Sequence, residues 1–254
     1  MATVSLTDLV TYLDGYLEAG VGKDYCPNGL QVEGCPKVRK LAAGVSASEE
    51  LFVRARQQGA DGVIVHHGLF WQGQSGALTG VRYRRVAELI RSEMSLLAYH
   101  LPLDRHPVVG NNAVAARAFG LGDIEPFGDY EGQSIGFRGT FAEAVPTADF
   151  LERCQKIYGQ EPLAFTHGPD RVSTVAIVSG AAAALFYEAI ESQIDLFLTG
   201  EPREWVMNVA RESGTHFVAA GHYATERLGI QALGDHLQNH FGIEVEFIDI
   251  ANPV

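Results

Sequence analysis

The chain has 254 residues, 46% apolar, 20% charged and 9% aromatic, and its 31 acidic residues against 19 Lys and Arg give a formal charge of −12. That apolar share excludes a disordered chain, and no uncharged apolar run approaches the ~18 residues of a membrane span. The acidic balance argues against a general affinity for nucleic acid, which draws on clustered Lys and Arg.

Met1 to Val10 carries Asp8 and no Lys or Arg, which is unlike a secretory signal, so a cytoplasmic location is expected. Cys26, Cys35 and Cys154 are an odd count without CxxC spacing and are expected to be reduced thiols. In chain order, Leu6, Leu9, Val10, Leu13 and Leu17 form a helical stripe that predicts a helix over Leu6 to Ala19, with Ser5 or Thr7 as N-cap. A Gly/Pro-rich loop, Cys26 to Gly34, follows. Short β-rich runs then alternate with helical segments: Leu41 to Val45, helix Ser48 to Gln58, Gly62 to Val65, helix Tyr83 to Glu93, and Ser95 to Tyr99. This alternation indicates βαβ units on a mostly parallel sheet.

Gly120 to Gly139, rich in Gly and acidic residues, marks a boundary, so a first α/β half over 1–125 and a second over 126–254 are expected. The second half reads as strand Ile135 to Phe141, helix Thr147 to Tyr158 and a strand near Pro162 to Thr166. Strand Thr174 to Val178, helix Ala182 to Ser192, strand Asp195 to Leu198 and a helix from about Glu204 come next. Strand His216 to Ala220, helix Ala224 to Phe241 and strand Glu244 to Ile250 close the chain.

The second half restarts the first. At a constant offset of 134, Leu41 to Trp71 falls on Val175 to Trp205 without a gap, matching Ala42 with Ala176, Ala47 with Ala181 and Leu51-Phe52 with Leu185-Phe186. Ala55 also matches Ala189, Asp61 matches Asp195, and both tryptophans of the chain coincide. At an offset of 122, His100 meets His222 and Asp104 meets Glu226. Any two βαβ units align at apolar positions, but paired tryptophans and a shared His-x-x-x-carboxylate point to an internal duplication.

Repeat-related positions hold metal-ligand residue types at strand ends, where open α/β sheets build their sites. Strand Gly62 to Val65 ends in His66-His67-Gly68, and the matching end in the second half is Gly200-Glu201. Adjacent histidines on an extended strand diverge to opposite faces, so a turn at Gly68 is needed if each is to reach a metal ion. An isolated His-His pair is equally explained by one buried and one solvated imidazole. Pro102 argues against a regular helix between His100 and Asp104, so a loop is expected to bring them together. His222 and Glu226, four apart, share one helical face. Four histidines with up to three carboxylates exceed what one tetrahedral zinc needs, and two ions bridged by a carboxylate fit the count better. Iron, zinc and manganese all suit such mixed ligands. His106 has a possible substrate role. Arg82, Arg84 and Arg85 read either as a phosphate-binding patch or as a solvated helix start.

Four strings, GVIVHHGLFW (62–71), YHLPLDRHPVVGNNAVA (99–115), FLTGEPREW (197–205) and GHYATERLGIQAL (221–233), resemble the Ngg-one-interacting-factor-three-like family, also called type 2 homologues of GTP cyclohydrolase I. The resemblance runs over essentially the whole chain. It implies two intertwined, duplicated α/β halves with mostly parallel or mixed sheets and a dinuclear metal site between them, two divalent ions per chain being held by His66, His67, Asp104, His222 and Glu226. His100 would line the same pocket, and the assembly would be a toroidal homohexamer.

Such a centre points to a metal-dependent hydrolase of unknown substrate, with His100, Asp104 and Glu226 as its catalytic residues. The alternative from another class is a non-catalytic metal-containing binding or scaffold protein. A ring-shaped nucleic-acid binder is a third reading, weakened by the charge. No Walker-type or Gly-rich phosphate loop supports a nucleotide cyclohydrolase independently.

Overall fold

Residues 2–254 are described by a computed structural model. In chain order the elements begin β1 (Val4–Ser5), α1 (Leu6–Tyr16), β2 (Gly29–Val32), β3 (Lys37–Val38), β4 (Lys40–Ser46), α2 (Glu49–Gln57), β5 (Gly62–His67), α3 (Gly80–Arg91), β6 (Ser95–Ala98) and α4 (Leu101–Arg105). They continue α5 (Asn111–Phe119), β7 (Gly122–Tyr130), β8 (Gln133–Pro146), α6 (Thr147–Tyr158), β9 (Leu163–Phe165), β10 (Arg171–Val178), α7 (Phe186–Glu191), β11 (Leu196–Thr199), α8 (Val206–Ser213) and β12 (His216–Ala219). The chain closes with α9 (His222–Thr225), α10 (Arg227–Phe241) and β13 (Glu244–Phe247), and a 3-10 turn, Ala183–Leu185, leads into α7. Among the described residues no helix is long and apolar enough to cross a membrane.

Contacts divide the described residues into two compact units, 2–103 with 230–251, and 104–229 with 252–254. The first unit holds a five-stranded sheet in the order β13-β4-β5-β6-β2 and a small β1-β3 pair. Its centre is parallel, with Leu41 opposite Gly62 and Gly62 opposite Ser95, and only β2 runs antiparallel, at one edge. The second unit holds a six-stranded sheet, β7-β8-β10-β11-β12-β9, whose centre β10-β11-β12 is parallel. The fold is therefore α/β with mixed sheets. The central strands read as nearly unbroken apolar runs because helices cover both faces, and Ala42, Val63, Ile64, Val65, Ala176, Phe197 and Val218 are fully buried.

Local chemistry sets the ends of the helices. Ser5 Oγ accepts from the Asp8 amide at 3.0 Å and caps α1, and Ser48 Oγ accepts from Leu51 at 3.2 Å and caps α2. Four elements depart from the sequence expectations. Pro102 lies inside α4, because a proline in the first turn of a helix gives up only an N–H that has no intrahelical acceptor there. The boundary region Gly120 to Gly139 is mostly an antiparallel hairpin, β7 with β8, whose glycines and exposed acids mask the β pattern. The helix expected over Ala224 to Phe241 is two helices, α9 and α10, with Glu226 at the break. The Gly/Pro-rich loop also contains β2, which pairs with β6.

The duplication extends to hydrogen bonding. Asp61 Oδ2 accepts from the amides of Arg39 and Lys40 at 2.8 and 3.1 Å, and Asp195 Oδ2 accepts from Ser173 and Thr174 at 2.8 and 2.9 Å. Residues 173 and 174 are the offset-134 equivalents of 39 and 40, so each carboxylate ties the start of its own strand to the neighbouring one. Partial burial opposes the charge on Asp61, but the Arg39 and Lys40 amides and the Arg39 guanidinium outweigh it and hold the carboxyl below its usual range. A depressed folded pKa stabilises above the unfolded value and is lost as pH falls through the folded one. Asp61→Ala and Asp195→Ala are each expected to cost about 1–3 kcal/mol in urea unfolding at neutral pH. Asp61→Asn should lose less stability than the wild type between about pH 5 and 3.

Candidate metal centre

In the first unit, parallel pairing carries β5 and β6 to a common end, where the chain places His66, His67 and His100. The register sets Ser46 opposite His67, and Ser46 Oγ lies 3.0 Å from His67 Nδ1. His66, fully buried, donates from Nδ1 to the Tyr99 carbonyl at 3.1 Å. His100 donates from Nδ1 to Asp24 Oδ1 at 2.8 Å, and its amide donates to Asn28 Oδ1 at 2.8 Å. Acceptor-only oxygens at the Nδ1 atoms of His66 and His100 fix the tautomer and leave the lone pair on Nε2, the usual arrangement for a metal-ligating imidazole. The three rings stand 4.7 to 5.6 Å apart between centroids, and one ligand nitrogen from each lies within 4.8 Å of the others. His66 and His67 thus converge although both belong to β5.

Asp24 is the least obvious member. Its Oδ2 accepts from the Leu101 amide and from Asn28 Nδ2, both at 3.0 Å, while Oδ1 also accepts from the Cys26 amide at 3.0 Å. Burial works against its charge, yet the bonds from His100, Asn28 and Cys26 hold it below the usual carboxylate range. Gln31 fixes the turn after His67: its Oε1 accepts from Leu69 at 2.8 Å and its Nε2 donates to the Pro27 carbonyl at 2.8 Å. A Cβ on Gly68 would run into that amide, so a larger residue there would displace the Gln31 side chain from these bonds.

In the second unit, three further residues gather around the turn Ser179-Gly180. Asp104, 6% exposed, accepts at Oδ1 from Asn111 Nδ2 and Ser179 Oγ, both at 2.9 Å. Asn111 is held in turn by the Gly229 amide, which donates to its Oδ1 at 2.8 Å. Asn112 Oδ1 accepts from the Ser179 amide at 2.7 Å. Glu226, 2% exposed, brings Oε1 to 3.2 Å from His222 Nε2, and Glu201 Oε1 accepts from His222 Nδ1 at 2.6 Å. Gly180 has φ +68°, and a Cβ there would stand 2.5 Å from Glu226 Oε1. Its bare backbone is what lets the carboxylate approach. Burial opposes charging of His222, but Glu226 and Glu201 at its two ring nitrogens push its pKa up to about 9. The spot therefore favours positive charge. Buried carboxylates persist where they are paired with or coordinate cations, so oriented imidazoles and buried acids suit a first-row divalent metal.

Asp24, Ser46, Asn111, Asn112 and Ser179 carried no sequence signal of this role. The adjacent amides of the NNAVA string were the nearest hint, since two polar residues opening an apolar helix need buried partners. His106, buried, accepts at Nδ1 from the amides of Val108 and Val109 at 3.2 and 3.1 Å. Arg82 donates to Gln74 at 2.5 Å and Arg84 to Glu49 at 3.0 Å, both on the surface, as a solvated helix start would.

Because positioning partners set ligand basicity and orientation, Asp24→Asn and Glu201→Gln are each expected to weaken divalent-metal binding about 10- to 100-fold in competition with a chelator. His67→Ala should lower the metal content of purified protein measured by elemental analysis.

A family model described as Duf34/NIF3 (NGG1p interacting factor 3) matches residues 4–253. The chain is 45% identical over 250 residues to the GTP cyclohydrolase 1 type 2 homolog of Pseudomonas aeruginosa, covering 98% of this chain and 99% of that one. Two solved structures are similar at 38% identity. Protein ybgI, described as of unknown function, superposes with a TM-score of 0.94 over 99% of this chain and 100% of its own. The protein TTHA1606 from Thermus thermophilus does so with a TM-score of 0.92 over the same shares.

Proposed function

The chain belongs to the Duf34/NIF3 family, and from that premise we propose that it is a metal-dependent hydrolase whose two ligand sets share a pair of divalent ions. The observation that carries this reading is the pairing of imidazoles tied through Nδ1 with buried carboxylates, at strand ends related by the duplication. His66, His67, Asp104, His222 and Glu226 would hold the ions. When bound, two such ions lower the pKa of a water and clamp the attacking and leaving oxygens. Asn111 and Ser179 keep Asp104 aimed, and Gly180 keeps the approach to Glu226 open. His100, with Nδ1–H locked to Asp24, accepts or returns a proton at Nε2.

Relatives carry the name GTP cyclohydrolase 1 type 2 homolog. The residues of the site speak for hydrolysis in general and lend that particular ring opening no independent support. The same family premise supports a toroidal homohexamer, which light scattering would weigh at six times the chain mass.

Protein loaded with iron, manganese or zinc is expected to turn over at least one member of a phosphoester, nucleotide and cyclic-amide panel, and His67→Ala to abolish that turnover. Unchanged activity in the variant would defeat the reading. If no panel member is consumed, and metal removal lowers the melting temperature or dissociates the assembly, the centre is structural.

A further inference from the structure

Two large aromatic rings stand beside the first-unit histidines, and none of the metal chemistry above needs them. Tyr25 is 42% exposed and meets His100 edge-on at 4.9 Å between centroids. Trp71, half-buried, meets His100 edge-on at 5.3 Å and lies 5.8 Å from His67. The two rings are 5.7 Å apart with a 35° tilt, so they form one continuous wall. Rings this large gain from burial, so a partly exposed pair at a candidate catalytic centre offers apolar surface to whatever enters it.

The wall is held rigidly. Trp71 Nε1 donates to the Gly68 carbonyl at 3.1 Å, which ties the indole to the turn that follows His67. The Gln72 amide donates to the Tyr25 carbonyl at 2.8 Å and fastens the two segments together. Tyr25 is bracketed by Asp24, whose carboxylate is anchored by His100 and Leu101, and by Cys26, whose amide donates to that carboxylate. Preorganised rings of this kind are a stacking surface at little entropic cost.

We propose that Tyr25 and Trp71 form the specificity wall for a substrate that carries a flat heteroaromatic ring, stacked so that its polar edge faces His67 and His100. This rests on the reading that the centre acts on a substrate. The aromatic faces would also attract a cation, but divalent ions at the neighbouring imidazoles repel one, which leaves a neutral or anionic π-system as the fitting occupant.

The chain has two tryptophans, so metal-loaded protein carrying Trp205→Phe keeps Trp71 as its one indole. Its emission is titrated with guanosine, pterin and nicotinamide as flat rings and with ribose as the saturated control. Saturable quenching by at least one ring and none by ribose is expected. In equilibrium dialysis, Trp71→Leu should weaken that ring's binding about tenfold or more, the scale of a lost stacking contact, with bound metal and circular dichroism unchanged. Tyr25→Leu, on a separate segment, gives the same readout if Trp71→Leu fails to fold. No quenching by any ring, undiminished affinity in the folded variants, or equal binding of ribose overturns the proposal. Ring binding by a protein that takes up no metal leaves the wall standing and sinks the hydrolase reading alone, whereas metal uptake and turnover of a ringless compound does the reverse.

Discussion

The site depends on one constraint: an imidazole at a strand end must have one nitrogen committed to an oxygen before the other can serve a metal. A free histidine rotates and exchanges tautomers, and its lone pair has no fixed address. In this chain Tyr99 O, Ser46 Oγ, Asp24 and Glu201 each lie at an Nδ1. Two of these partners are products of the sheet itself. Tyr99 follows directly on β6, the neighbour of β5, and Ser46 is the register partner of His67 on β4. A slip of one residue between β4 and β5 would turn Ser46 to the other face and remove its bond to His67, so the order of the buried sheet and the order of these imidazoles are one property.

The duplication shows which parts of that plan are structural and which have been specialised. Asp61 and Asp195 do the same work in both units, each accepting two amides of the preceding strand. The strand ends differ. Ser46 corresponds to Gly180 and His67 to Glu201, so a serine that steadies an imidazole in one unit is replaced in the other by a glycine whose missing Cβ admits Glu226. Glu201 in turn steadies His222 rather than acting where His67 acts. The backbone scaffold was kept twice while the side chains at its end divided into candidate ligands and the groups that position them.

The sequence made the parallel centres legible because unbroken apolar runs alternating with helical stripes have few other solutions, and Leu41 to Val45, Gly62 to Val65 and Thr174 to Val178 fall within β4, β5 and β10. The ligand-type residues were legible through repetition, not through spacing alone: His100 and His222 are ordinary singly. What stayed hidden followed from tertiary context. Pro102 read as a helix breaker, yet its place in the first turn of α4 makes it harmless. The β7-β8 hairpin lay under glycines and acids because its exposed positions carry no apolar alternation. Asp24, Asn111 and Asn112 looked like loop and capping residues; only coordinates reveal that both asparagines are fully buried and that Asp24 holds His100.

Charge distinguishes the two groups of candidate ligands. The first unit offers imidazoles whose Nε2 atoms are neutral donors, and neutral donors leave most of a divalent ion's charge unbalanced in a buried place, where Coulomb costs are high. The second unit offers the opposite imbalance. Asp104 and Glu226 are almost fully buried acids, and His222 between Glu226 and Glu201 is driven towards its charged form. In the centre proposed above, the metal charge would be offset by the carboxylates and the carboxylates by the metal, so that neither survives loss of the other unchanged. At Asp104, Asn111 and Ser179 commit two hydrogen bonds to the single oxygen Oδ1, which holds the carboxylate in one orientation and confines its remaining acceptor capacity to a narrow range of directions.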